Sequence, residues 1–253
     1  MTLETAIQMQ PDARDPGPVA DRIAGCRARA GIYRLLERCL GDEVDAEFLG
    51  LMRGALASVL TDAEIGFAPD DELFTGREES VLADLSREFN GLFVVPGAVC
   101  PYRSVFETGC MFQAPSDEAA AAYRAAGLDF RNRYSGEFPD HIAVMMSFVA
   151  HLSERETEAL VAGDETAADR LRDQREQFTV EQIGPWGPGW CKRARLLADH
   201  DFYRRILDFA ERMLWQEIGQ LADRKRMKDI VALNGRDSIT LDYDADFRKA
   251  SGL

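Results

Sequence analysis

From Val19 the apolar residues Ile23, Cys26, Ala30, Tyr33 and Leu36 or Leu40 recur at spacings of three and four. That is the period of a helix with one face turned to a core, so the spacing predicts a first helix starting at about Val19. A second stretch, Asp45 to Leu60, repeats the pattern through Phe48, Leu49, Met52, Leu56 and Leu60, and residues 66–71 break it. Thr75-Gly76-Arg77-Glu78 has the spacing of a capping box, which predicts a helix from there to about Phe93. Pro96, Gly97 and Pro101 stop helical growth, so 95–102 reads as an irregular loop.

Ser116-Asp117 is a candidate cap for a short helix ending near Gly127, a residue suited to left-handed backbone. Pro139 suits the first turn of the next helix, which runs through Ile142, Met145, Met146, Val149 and Leu152 to a stop at Gly163. A further helix spans about Asp164 to Phe178. Gly184 to Trp190 holds three glycines and two prolines, and reads as a turn. Helical pattern returns over Cys191 to Ala198 and Phe202 to Leu221. Beyond Ile230 the chain is polar and without period, and Ser238 to Leu241 is the best of few strand signals. The pattern predicts an all-α, single-domain helical bundle over 19–229, with a flexible segment at 1–18 and a polar tail at 230–253.

Composition narrows the partners. A chain of 253 residues can bury a large core without metal or disulfides. Its five cysteines, odd in number and with no CxxC pair, read as small core residues. A net charge of −14 argues against a nucleic-acid partner and favours a basic peptide, although acidity also serves solubility alone. No stretch is apolar enough to span a membrane, and the first ten residues lack the pattern of an export signal, so the chain is expected to be cytoplasmic.

The densest chemistry lies in Glu137-Phe138-Pro139-Asp140-His141, ahead of a long apolar helix. On a helix His141, Met145, Phe148 and Leu152 fall within about 60° of one another, so His141 borders the apolar face. One reading makes it a satisfied core histidine. The other exposes Asp140 and His141 beside a cleft, facing a bound peptide. Metal binding is disfavoured, because His141 and His151 lie about 80° apart around the helix and no HExxH or paired Glu-x-x-His motif occurs. No GxSxG, Walker loop or GxGxxG is present, which leaves hydrolase and nucleotide-driven chemistry without a starting point; neither catalysis nor a cofactor is predicted.

Four segments in order, Phe89 to Pro96 (F-x-x-L-F-V-x-P), Pro101 to Phe106 (P-Y-x-S-V-F), Glu137 to His141, and Pro185-Trp186 with Phe202-Tyr203, resemble the TorD/DmsD family, which includes NarJ-like members. The resemblance covers about 19–221. It departs from some members at Tyr102, where they carry tryptophan, and the residues beyond Ile230 have no clear counterpart. It implies an all-helical cytoplasmic chaperone, not an enzyme, that binds the twin-arginine leader or the apo catalytic subunit of a molybdoenzyme and delays export until the cofactor is inserted. A stable adaptor subunit of a redox complex is the alternative. Both a monomer and a helix-exchanged dimer are compatible with such folds.

A leader of this kind joins a basic end to an apolar stretch, which suits an apolar groove bordered by acids. The expected peptide contacts are Phe89, Leu92, Phe93, Pro96, Pro101, Tyr102, Ser104, Val105 and Phe106, with Glu137, Asp140 and His141 at the edge and Trp186 beside them. Trp186 fits interhelical packing equally well.

Overall fold

A computed structural model describes residues 17–94, 99–132 and 137–236. Twelve α-helices account for most of the described residues: α1 Pro18–Gly41, α2 Ala46–Arg53, α3 Ala57–Leu60, α4 Glu72–Thr75, α5 Glu78–Phe89, α6 Arg103–Thr108, α7 Ala114–Ala125, α8 Ile142–Val161, α9 Glu165–Phe178, α10 Gly187–Leu197, α11 Asp201–Leu221 and α12 Arg224–Asn234. The all-α expectation holds. The strand signal at Ser238 to Leu241 lies outside the described residues.

Where helices begin is decided by caps. Asp45, Asp164 and Asp223 each accept a backbone N–H three residues on, at 2.8, 2.9 and 2.7 Å, and start α2, α9 and α12. Gly127 and Gly163 take left-handed backbone after α7 and α8, as expected from their positions. The predicted capping box fails: the Thr75 hydroxyl donates back to the Asp71 carbonyl at the end of α4, and α5 starts after Arg77 with no side-chain cap. Ser116 is likewise inside α7, whose cap position is Gln113.

The break predicted from glycine and proline at 184–190 is gentler than expected. Pro188 stands in the first turn of α10, where no N–H is needed, so Gly187 to Trp190 is helical. The glycines there are required by close approach: a Cβ on Gly189 would lie 2.7 Å from the Asn234 carbonyl oxygen, and one on Gly187 2.8 Å from Ile183. α12 also carries the helical body past residue 229, where the polar tail was expected to begin. It does so because Ile230 is fully buried and Asn234 donates to the Gly184 carbonyl at 2.7 Å while accepting from the Gly189 N–H at 2.7 Å.

The most extensive helix interface is α1 against α8, followed by α10 against α11 and α8 against α9. A large apolar core joins them, to which α1 supplies Tyr33, Leu36 and Leu40; Cys26 of the same buried stripe packs in a smaller cluster with Leu160 and Ala168. Val19, the first residue of the predicted stripe, is exposed.

Across this core runs a chain of buried ions that no motif announced. Glu156 on α8 and Glu217 on α11 face Arg175 on α9 at 3.5 and 3.4 Å. Arg22 and Arg29 of α1 close the ends at 2.9 Å each, and the Tyr33 hydroxyl donates to Glu217 at 2.6 Å. Burial and the neighbouring Glu217 hold that phenol well above its usual range.

Candidate functional site

The segment 137–142 is tied to 101–104 by backbone. The Ile142 N–H donates to the Pro101 carbonyl at 2.9 Å and the Arg103 N–H to the Asp140 carbonyl at 3.1 Å, which makes Tyr102 and His141 an antiparallel bridge. Asp140 completes the clamp with its carboxylate: Oδ2 accepts the Ser104 N–H at 2.8 Å. That N–H belongs to the open first turn of α6, so Asp140 caps, from a distance in sequence, a helix that has no side-chain cap of its own. Its other oxygen, Oδ1, is buried with no hydrogen-bond partner.

His141 is the cap of α8. Its Nδ1 accepts the Ala143 N–H at 3.1 Å, and its ring stands edge-on to Tyr102 at 5.0 Å. The Tyr123 hydroxyl holds the Pro139 carbonyl at 2.6 Å. Pro139 therefore lies in the turn before α8 and not in its first turn.

Asp140 is 1% exposed, His141 5% and Glu137 4%, which overturns their expected position on an open edge. The reason is the clamp: backbone groups of 101–104 need partners once sequestered, and 137–142 supplies them. Phe89, Leu92, Phe93, Tyr102, Ser104, Phe106 and Trp186 are buried too, as is Pro101, and Val105 is half-buried. Pro96 lies outside the described residues. The expected open groove is thus filled in this conformation.

The motifs do converge, but on each other. Phe93 stacks on Trp190 at 5.6 Å between ring centres, Trp186 meets Trp190 at 6.1 Å and Phe106 at 6.0 Å, and Tyr203 touches both Phe89 and Phe93. The indole N–H of Trp190 donates to the Cys100 carbonyl at 3.0 Å, and that of Trp186 to the Gln182 carbonyl at 3.0 Å, so both are satisfied core residues. Three of the four segments, spread over more than a hundred residues, close one aromatic cluster, while the rings of Phe138 and His141 pack on Tyr102.

One of the openings among the described residues lies beside the clamp. A cleft of about 330 Å³ runs between α1, α8 and the 128–131 stretch, and Glu137 forms part of its wall. Phe130 and Phe148 give it an apolar floor, and Arg34, Glu37 and His151 a polar rim. Arg34 is committed to Glu154 at 2.9 Å, to Glu37 at 2.8 Å and to the Ser147 hydroxyl at 2.9 Å. Burial, assisted by Arg155, holds His151 below its ordinary pKa of 6.5. Of these residues only Glu137 was expected at the site; the mixed polar and apolar spacing of Val144, Ser147, Phe148 and His151 on one face of α8 was the available signal.

Arg103 closes the far side of the clamp. It is buried, and its guanidinium donates to Glu107 at 2.7 Å, Glu118 at 3.0 Å and Gln182 at 2.6 Å.

Burial pushes the Cys26 thiol, beside Glu156, up to about 11 and that of Cys39 to about 12, and Cys191 higher still. Cys100 and Cys110 are half-buried, unlike the core placement expected of all five. Among the described residues no group of three or more His, Cys, Asp or Glu side chains is placed to hold a metal ion, and no helix is long and apolar enough to cross a membrane.

Residues 46–192 match the model of the nitrate reductase delta subunit family, more than half of the chain. The chain belongs to this family. The matched span holds three of the four motif segments and Pro185-Trp186 of the last, leaving only Phe202-Tyr203 outside. The chain is also similar to the chaperone protein TorD of Shewanella loihica (strain ATCC BAA-1088 / PV-4), at 27% identity over 209 residues, covering 75% of this chain and 90% of the relative. Among solved structures, a redox enzyme maturation protein from Archaeoglobus fulgidus matches at 26% identity with a TM-score of 0.36, over 58% of this chain and 91% of the other. The family resemblance drawn from the motifs is borne out.

Proposed function

We propose that this chain is a cytoplasmic maturation chaperone for a molybdoenzyme: it binds the twin-arginine leader and the apo catalytic subunit, and delays export until the cofactor is in place. The observation that carries this reading is the clamp beside the cleft. Asp140 is a buried carboxylate with one oxygen already used on α6 and the other unfilled, and Glu137, three residues before it, lines a cleft with an apolar floor. An unfilled buried acceptor is costly, and a donor brought by a peptide would satisfy it. A peptide with a basic end and an apolar stretch matches both features, and the chain's −14 charge favours its approach. Similarity to a protein named as a TorD chaperone supports the same class of work.

The buried aromatic residues enter this reading as the support of the clamp. For Leu92, Phe93 or Phe106 to touch a peptide, the 99–113 stretch must move off the core. Three or four apolar side chains of the peptide, at about 1.5–3 kcal/mol each before ordering costs, suffice for roughly micromolar affinity near −8 kcal/mol.

A second reading, a permanent adaptor subunit, draws on the family's description as a delta subunit. Calorimetry separates the two. The full chain titrated with a synthetic peptide carrying an arginine pair followed by an apolar stretch should bind at about micromolar level, and Asp140→Asn, which keeps an acceptor for Ser104, should bind more weakly. No binding by the folded wild-type chain contradicts the chaperone reading and leaves the adaptor.

A further inference from the structure

Between α6 and α7 the chain makes a tight turn, residues 109–113, with Phe112 at its tip. Phe112 is 74% exposed, the most exposed of the large apolar residues described and the only aromatic among the exposed ones. It is also the one described residue other than glycine with positive φ, at 61°. A bulky L-residue there is strained, and glycine or asparagine would be the easier choice. The turn thus carries two unfavourable features at one position, neither of them offset by burial.

The turn is nonetheless well held. The Cys110 N–H donates to the Thr108 hydroxyl at 3.2 Å, and that hydroxyl donates back to the Ser104 carbonyl at 2.7 Å. The Gln113 amide donates to the Met111 carbonyl at 3.2 Å, and the Ser116 N–H to the Gln113 carbonyl at 2.9 Å. The Phe112 ring rests edge-on against Phe138 at 4.6 Å, Phe138 against Tyr102 at 5.9 Å, and Tyr102 against His141 at 5.0 Å. A line of rings therefore joins the exposed tip to the clamp. An aromatic fixed in place before binding loses little freedom on contact, which is the property of an interface anchor.

We infer that Phe112 is the anchor on which the apolar stretch of the leader peptide docks. This rests on the chaperone reading above and adds to it the place and the polarity of the contact. Charge selects the occupant. Glu107 precedes the turn, and Asp117 and Glu118 follow it. The cation among them, Arg103, has its donors spent on Glu107, Glu118 and Gln182 inside the protein. The surroundings are net negative, with Asp117 and half of the Glu118 side chain open to solvent. An apolar segment next to arginines is attracted here, and an acidic segment is repelled.

Phe112→Gly is the discriminating variant, because glycine relieves the left-handed backbone while removing the ring. The full chain and the variant are titrated by calorimetry with the arginine-pair peptide, and both are melted. The expected result is an affinity lower by about tenfold or more with a melting temperature unchanged or raised, and recovery of affinity in Phe112→Trp. Wild-type binding with unchanged affinity in Phe112→Gly overturns the anchor and leaves the chaperone reading intact. A fall in melting temperature with unchanged affinity gives Phe112 a structural role only and also overturns it. No wild-type binding overturns the leader reading and the anchor together.

Discussion

Among the described residues charge is buried at two places, and the two are built differently. In the α1–α8–α9–α11 network, Glu156, Arg175 and Glu217 meet side chains of opposite sign, and Arg22, Arg29 and Tyr33 complete the pairing. At the clamp, Asp140 is held by one backbone N–H and leaves an oxygen unfilled, while nearby an aromatic ring is propped open to solvent. In the network Arg175 Nε and Glu156 Oε2 stand 3.5 Å apart without a hydrogen bond, yet every charge faces one of opposite sign. The Asp140 carboxylate is held by a backbone donor instead of an opposite charge, and on the reading proposed above that difference makes the clamp the working end of the molecule.

The comparison breaks most readily at the network. Arg175→Ala strips the central cation and leaves two buried carboxylates, which should cost about 3–5 kcal/mol in chemical denaturation. Peptide affinity per folded molecule should not change; a loss of affinity at full folding would mean that the network belongs to the site.

At the clamp the loss should be smaller and of another kind. Asp140→Ala removes the cap of α6 and should cost about 0.5–2 kcal/mol. Asp140→Asn should cost less than Asp140→Ala, while both lower affinity. Equal affinity in wild type and both variants would leave Asp140 with capping alone.

The smallest effect sharpens the picture of the cleft between them. Burial and Arg155 depress the pKa of His151, with Arg34 adding to the effect and Glu154 and Glu158 opposing it. Because its folded pKa lies below the unfolded value, its contribution to stability is fully present above about pH 6.5 and is lost as pH falls through the folded value. Denaturation midpoints measured from about pH 7 down to about pH 5 should fall less steeply in His151→Gln than in wild type. An identical slope in the two would remove His151 from the account.

Much of the fold was legible because helical period and glycine punctuation act locally: the α1 stripe, the stops at Gly127 and Gly163, and the extents of α9 and α11 all follow from them. Errors arose where a distant partner decides. Thr75 has the spacing of a cap, yet its hydroxyl serves the helix before it. The glycines and prolines of 184–189 read as a turn; Gly184 and Pro185 do form one, while Gly187, Pro188 and Gly189 become helix, with α12 packed against them through Asn234. The site was half legible for the same reason. Motif order identified Asp140 and His141, but nothing local reveals that Ser104, 36 residues away, takes the Asp140 carboxylate and draws it inside. Phe112 carried no sequence signal, since its meaning lies in a backbone angle.

The central claim is that the clamp serves an immature, leader-bearing redox enzyme. A tagged pull-down from the native host, with mass spectrometry of the captured partners and their N-termini, tests it most directly. The account predicts a molybdoenzyme catalytic subunit still carrying its twin-arginine leader. Recovery of the mature, leader-free enzyme in fixed stoichiometry would contradict it and assign the chain to a permanent complex.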